Sequence, residues 1–213
     1  GLMYIASVME KNSVDVEICD LASKTEEQWP NLISDADIYG ITLFSASFNT
    51  AKRISRVIKS KNKNAIIVAG GPHATSMCEE TLESKNFDYV IKGEGEFSFL
   101  QFVNNFYNSK KNSKIIKSEM VSDINSLPIP ARHLIDFSTY TREVDGEKAT
   151  SLITSRGCPN NCSFCCKDIH GKKVRFRSVD SVINEVKEIK SKYNIHSFLF
   201  YDDIFTLNRK RLS

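Results

Sequence analysis

A chain of 213 residues with 29 Lys and Arg against 26 Asp and Glu is too evenly charged to show the basic excess that nucleic-acid binding requires. Its 41% hydrophobic and 26% charged content excludes a disordered chain. No apolar run approaches the roughly 18 residues of a membrane helix, and no basic stretch followed by an apolar one opens the chain as in a secretory signal, so the sequence reads as a cytoplasmic protein with a packed core.

Taken in chain order, Gly1-Leu2-Met3-Tyr4-Ile5-Ala6-Ser7-Val8-Met9 predicts a helix with no strand before it. A doubly wound sheet begins with a strand, so the numbering is expected to start inside a longer natural chain whose first strand lies outside it. Val14 to Cys19, Asp37 to Phe44, Ala65 to Ala69 and Tyr89 to Ile91 each predict a strand. Between the second and third, Phe48, Ala51, Ile54, Val57 and Ile58 recur at helical spacing, with Lys52, Arg53, Arg56 and Lys59 on the opposite face. Strand and helix in alternation imply βαβ units and a parallel sheet with helices on both faces: a doubly wound α/β domain of Rossmann or flavodoxin type over residues 1–110. The Lys and Asn run from Lys59 to Asn64 reads as a solvated helix end.

Residues 111–148 read as a linker with Leu127-Pro128-Ile129-Pro130 and a turn at Asp145-Gly146. Residues 149–213 then start a second α/β domain with its first βαβ unit. Its elements are a strand from Ala149 to Thr154, a loop from Arg156 to Gly171, a helix from Val179 to Tyr193 and a strand from Ser197 to Tyr201. Val179, Val182, Ile183, Val186 and Ile189 are the expected buried stripe of that helix, with Asp180 near its start and Lys190 and Lys192 at its end, as the helix dipole favours.

Four of the six cysteines, Cys158, Cys162, Cys165 and Cys166, fall in one short stretch, which in a chain without an export signal points to metal binding rather than disulfides. Cys19 and Cys78 read as small buried residues. Arg156-Gly157-Cys158-Pro159-Asn160-Asn161-Cys162-Ser163-Phe164-Cys165-Cys166 contains C-x3-C-x2-C directly after a strand. Three thiolates from one loop can each hold one iron of a cubane cluster and leave the fourth iron open. The competing reading is a zinc site of Cys158, Cys162 and Cys165 with Cys166 or His170, in a non-enzymatic metal-binding or electron-transfer module; paired C-x2-C knuckles, the commoner zinc pattern, are absent. Cys166 as a fourth cluster ligand would strain two adjacent side chains, and it reads as a packed thiol.

Tyr201-Asp202-Asp203-Ile204-Phe205 sets two carboxylates at the C-terminal end of a strand, the ligand-binding end in β/α barrels; the alternative is a helix cap and a solvated turn. Gly70-Gly71-Pro72-His73-Ala74-Thr75 follows another strand, where paired glycines let a ligand approach the backbone. Lys92-Gly93-Glu94-Gly95-Glu96 repeats the arrangement one strand later. If those glycines serve only turns, the first domain carries no cofactor.

The C-x3-C-x2-C loop, with Phe164 just before its last cysteine, resembles the signature of radical S-adenosylmethionine (radical SAM) enzymes. The resemblance implies a [4Fe-4S] cluster on Cys158, Cys162 and Cys165. Its open iron would be chelated by the amino and carboxylate groups of S-adenosylmethionine, which one electron cleaves to a 5'-deoxyadenosyl radical. It also implies that Asp202 or Asp203 lies near the cofactor's amino group, that an external donor such as a flavodoxin or ferredoxin supplies the electron, and that residues 149–213 begin a partial β/α barrel. Gly1 to Glu10, Gly70 to Thr75 and Gly93 to Glu96, in that order ahead of the loop, are similar to the cobalamin-binding domain joined to such barrels. This second resemblance implies cobalamin at the C-terminal edge of the sheet, between the two domains, with Thr42, Ser45, Ser47, Gly70, Gly71, His73, Gly93 and Gly95 as candidate contacts. The D-x-H-x-x-G pattern that supplies a cobalt ligand in some cobalamin proteins is absent, so His73 is expected to be a loop hydrogen-bonding residue. The implied function is a cobalamin-type radical SAM enzyme acting on a small molecule by methyl transfer or radical rearrangement, with no nucleic-acid or membrane partner. The substrate-reading part is expected to lie outside this chain, and no catalytic residue is assigned.

Overall fold

The opening helix, α1 (Leu2–Lys11), buries Tyr4, Ala6, Ser7, Val8 and Met9. After it, Val14–Cys19 alternates residue by residue between half-buried and exposed, yet it is not a strand. Alternation alone does not make one: a strand is defined by its ladder to a neighbour, and among the described residues this segment has no ladder. Cys19 is exposed rather than buried as its residue type suggests, and its thiol reaches the Leu32 carbonyl at 3.5 Å.

The computed structural model describes residues 1–212. From Trp29 the first unit follows as α2 (Trp29–Leu32), β1 (Ile38–Thr42), α3 (Phe48–Lys61), β2 (Ile66–Gly70), α4 (Pro72–Ser76), α5 (Cys78–Glu83), β3 (Tyr89–Lys92), α6 (Glu96–Tyr107) and β4 (Ile115–Lys117). The strands form one parallel sheet in the order β1-β2-β3-β4. β4 lies in the stretch read from sequence as a linker. Leu43, Ile58, Ile67, Ala69, Ala74, Phe87 and Val90 are enclosed in the core. Two lysines of the expected solvated helix end are instead anchors: Lys59 donates to the Ala65 carbonyl and pairs with Asp88 at 2.9 Å, and Lys61 donates to the Pro30 and Ile33 carbonyls. Their long side chains leave the helix and satisfy carbonyls that its own backbone cannot reach.

The chain divides into two units, Gly1–Met120 with Pro130–Ile135 and Val121–Ile129 with the residues from Asp136 onward. Within the first, Pro130–Ile135 returns to α1, where Ala131 N–H donates to the Met3 carbonyl at 3.0 Å and His133 meets Glu10 at 2.7 Å. In the second, β5 (Glu143–Val144) and β6 (Glu147–Leu152) form an antiparallel hairpin across Asp145 and Gly146, both at positive φ, as a two-residue hairpin turn prefers. β7 (Ser155–Arg156) pairs antiparallel with β8 (Arg175–Phe176). α7 (Val179–Tyr193) then leads to β9 (Ser197–Phe200), which lies parallel to β6. Ser178 caps α7 by accepting from Ser181 N–H at 3.1 Å, and Asn194 ends it in the left-handed conformation.

The buried face of α7 differs from the expected stripe. Val182 and Ile189 are buried, whereas Val179 and Ile183 are exposed and Glu185 is fully enclosed. The cause is Arg177, buried beside it, whose guanidinium donates to Glu185. Two opposite charges that satisfy each other can occupy a position that a hydrophobic count gives to an aliphatic residue. Among the described residues no helix is long and apolar enough to cross a membrane.

Candidate functional site

Residues 158–171 leave β7 and return to β8 as a loop whose ends are fastened together. Cys158 N–H donates to the Gly171 carbonyl at 3.1 Å, and the antiparallel pairing of Ser155 and Arg156 with Phe176 and Arg175 lies just behind it. Gly157 occupies φ +94, and a Cβ there would lie 2.5 Å from the Lys173 carbonyl oxygen, so the two limbs approach as closely as only glycine allows. Within the loop, Cys165 N–H donates to the Cys162 carbonyl and Gly171 N–H to that of Lys167. None of the four cysteines forms a disulfide: Cys158 is half-buried, and Cys162, Cys165 and Cys166 are exposed, so Cys166 is not the packed thiol its residue type suggests. Phe164, between them, is 91% exposed.

The two aspartates after β9 hold the base of this loop. Asp202 Oδ1 accepts from Thr154 N–H at 2.6 Å, while Oδ2 accepts from the Thr154 and Ser155 hydroxyls at 2.5 and 2.7 Å. Asp203 Oδ2 accepts from Gly157 N–H at 2.9 Å. Arg175, buried, donates to the Val121 carbonyl at 2.7 Å and to the His170 carbonyl at 2.8 Å. Sequence reasoning missed Thr154, Ser155, Arg175 and Arg177. The alternation Arg175-Phe176-Arg177 just after the loop was the one visible signal, since two charged side chains on the same face of a short extended segment ask for partners. Lys167 was also missed, and no pattern marks it.

Among the described residues, no three His, Cys, Asp or Glu side chains converge as ligands of a single metal ion. A cubane takes one thiolate per iron rather than several on one centre, and three free thiols spaced along a loop with fastened ends fit that demand in donor chemistry.

At the other candidate site, the parallel ladder pairs Thr42 with Gly70, which brings the exits of β1 and β2 side by side. Gly71 at φ +91 lets the turn press on β1: a Cβ would lie 2.7 Å from Thr42 Oγ1. His73 N–H donates to the Leu43 carbonyl at 3.0 Å. The His73 ring packs on Phe48, with centroids 4.3 Å apart, and its Nδ1 lies 3.0 Å from Ser45 Oγ. Its Nε2 is enclosed without a hydrogen-bond partner. His73 is therefore a buried residue that engages exposed Ser45, and it stands in the first turn of α4 rather than in the loop expected from the sequence. Ser47 hydrogen-bonds locally to Phe44. Gly93 N–H donates to Thr75 Oγ1 at 3.1 Å. A Cβ at Gly70 would meet nothing within 4 Å, whereas one at Gly95 would press on Ile5 of α1 at 3.0 Å. The structure thus gathers Thr42, Ser45, Gly70, Gly71 and His73 at the sheet's C-terminal edge and sets Gly95 against a helix.

Comparison with known proteins matches residues 1–103 to the B12 binding domain and residues 152–212 to the Radical SAM superfamily. An uncharacterized methyltransferase of Pyrococcus horikoshii is 33% identical across 99% of this chain and 50% of its own length. An anaerobic magnesium-protoporphyrin IX monomethyl ester cyclase of Cereibacter sphaeroides is 28% identical across 90% of this chain and 33% of its own. The radical S-adenosylmethionine methyltransferase TsrM of Kitasatospora setae, solved with cobalamin and a [4Fe-4S] cluster bound, shares the fold with a TM-score of 0.75 and 17% identity, across 99% of this chain and 46% of its own. The chain thus spans half or less of the length of each of these proteins.

Proposed function

We propose that the chain, which matches the B12 binding domain over residues 1–103 and the Radical SAM superfamily over residues 152–212, is part of a cobalamin-type radical SAM enzyme that transfers a methyl group to a small molecule. The observation that carries this reading is the fastened loop bearing three free thiols at C-x3-C-x2-C spacing. Cys158, Cys162 and Cys165 would each hold one iron of a [4Fe-4S] cluster, which when bound supplies the electron that cleaves S-adenosylmethionine. Asp202 and Asp203 fix the base of the loop. Asp203, exposed and spending Oδ2 on Gly157, is the carboxylate that would hold the amino group of the cofactor.

At the sheet edge, Thr42, Ser45, Gly70, Gly71 and Gly93 would contact cobalamin, and a Cβ at Gly70 would meet nothing within 4 Å, so the backbone there is open to approach. His73 acts through Ser45, and Gly95 is relieved of a ligand role by its packing on α1. Two of the three similar proteins are named as methyltransferases, which favours methyl transfer; the cyclase supports radical rearrangement as the second reading. An external flavodoxin or ferredoxin is the electron donor in this reading, and six cysteines without a disulfide suit the reducing cytoplasm.

The test is anaerobic reconstitution with iron and sulfide, followed by electron paramagnetic resonance of the reduced protein with and without S-adenosylmethionine. A cubane signal that changes on addition is the expected result. Zinc bound without iron, or a signal indifferent to S-adenosylmethionine in both the native chain and Cys166→Ala, overturns the reading.

A further inference from the structure

Lys167 lies two residues beyond Cys165, and its Nζ is enclosed by the protein with no hydrogen-bond partner. Lysines ordinarily carry the ammonium out to water along their flexible stem, and those of this chain that turn inward find acceptors, as Lys59 finds Asp88 and the Ala65 carbonyl. A buried ammonium with nothing to answer it is unfavourable, because desolvation is not offset by an opposite charge. Among the described residues Lys167 is the one lysine in that position. It sits in the loop that carries the clustered cysteines, so a negative charge that arrives when the loop takes up its ligand would complete it.

We propose that Lys167 is the counter-ion of the iron-sulfur cluster and raises its reduction potential, an inference that rests on the cysteine assignment made above. Three thiolates outweigh the positive charge of an oxidised cubane core, so the loaded site is anionic, and one-electron reduction by the external donor makes it more so. A cation fixed nearby in surroundings of low dielectric favours the more negative, reduced form. Net charge around a cluster is one of the main determinants of its potential. Lys167 is thus a positioning and tuning residue: its charge acts on the cluster without ligating it.

The experiment compares native chain, Lys167→Met and Lys167→Arg after anaerobic reconstitution, with iron and sulfide analysis and a potentiometric titration followed by electron paramagnetic resonance. The expected result is unchanged iron content in all three, a midpoint displaced to more negative potential in Lys167→Met, and a native midpoint in Lys167→Arg. A fully loaded Lys167→Met with the native midpoint overturns the proposal. If Lys167→Met fails to hold iron, the arginine variant decides: iron retained with arginine supports a requirement for charge, whereas iron lost with both assigns the residue a purely steric part and overturns it. Failure of the native chain itself to take up iron is a different outcome, which refutes the cluster assignment.

Discussion

Replacing Asp202 tests how the cysteine loop is supported. The side chain accepts from one backbone N–H and two hydroxyls, and Thr154 and Ser155, the donors, are both buried. Asp202→Ala removes both acceptor oxygens and with them all three hydrogen bonds. The hydroxyls can rotate toward other partners, but the Thr154 N–H cannot, and a buried orphaned donor costs about 1–3 kcal/mol, with each bond to a charged group worth about 1.5–3. Asp202 is itself only half-buried, so water recovers part of this, and a net loss of about 3 kcal/mol is expected. At about 2–4 °C per kcal/mol for a cooperative unit near this size, the melting temperature should fall by about 6–12 °C. Asp202→Asn keeps one carbonyl oxygen for Thr154 N–H and should lose about 1 kcal/mol. Asp203→Ala gives up one bond from an exposed side chain and should fall below Asp202→Ala in effect. Thermal unfolding followed by circular dichroism reads all three; Asp202→Ala melting within a degree of the native chain would refute the argument.

Three further changes probe the same region. Glu185→Leu strands the buried Arg177 and should destabilise the chain by about 3–5 kcal/mol in urea unfolding, with much of the loss recovered in Arg177→Met/Glu185→Leu; equal loss in both would deny that the unpaired charge is responsible. Gly157→Ala combines a strained φ with a clash at the Lys173 carbonyl and should cost about 2 kcal/mol, so an unaltered denaturation midpoint would contradict the close approach of the loop's limbs. Cys78, whose thiol donates to Glu79 and is buried, is held above its ordinary pKa by that hydrogen bond first and by burial second. A raised pKa means less thiolate at any given pH, so iodoacetamide at pH 8 should label Cys162, Cys165 and Cys166 well before Cys78, and Cys78 should respond only at higher pH; early labelling of Cys78 in peptide mass analysis would contradict this.

How far the molecule could be read in advance depended on whether a segment carries its own reason for its structure. α3 and α7 announce themselves by helical spacing, and β1, β2 and β3 by β-branched runs between turn residues, because each pattern is imposed locally by the geometry of the element. Val14–Cys19 shows the opposite case: its alternation was visible, but a ladder needs a neighbour, and no single segment specifies one. β4 escaped notice because three residues, Ile115-Ile116-Lys117, amid lysines and serines make too short a pattern, although the edge of β3 gives them a place. Side-chain pairings were least legible. Nothing local tells that Lys61 reaches the Pro30 and Ile33 carbonyls, or that Glu185 sits inside opposite Arg177. The cysteine spacing was fully visible; the partners of Asp202 and Asp203 needed the fold to bring Thr154 and Gly157 beside them.

On the cysteine assignment proposed above, the fastening of the loop bears on the order of events during metal uptake. With Cys158 tied to Gly171 and the base held by Asp203, the loop-closure entropy is already spent before any iron arrives. Each thiol then meets its neighbours at an effective concentration of about millimolar or above, as in any short tether. Once a first iron is captured, the remaining ligands compete with solvent as an intramolecular set, so partial occupancy should be short-lived and loading should depend little on how dilute the protein is.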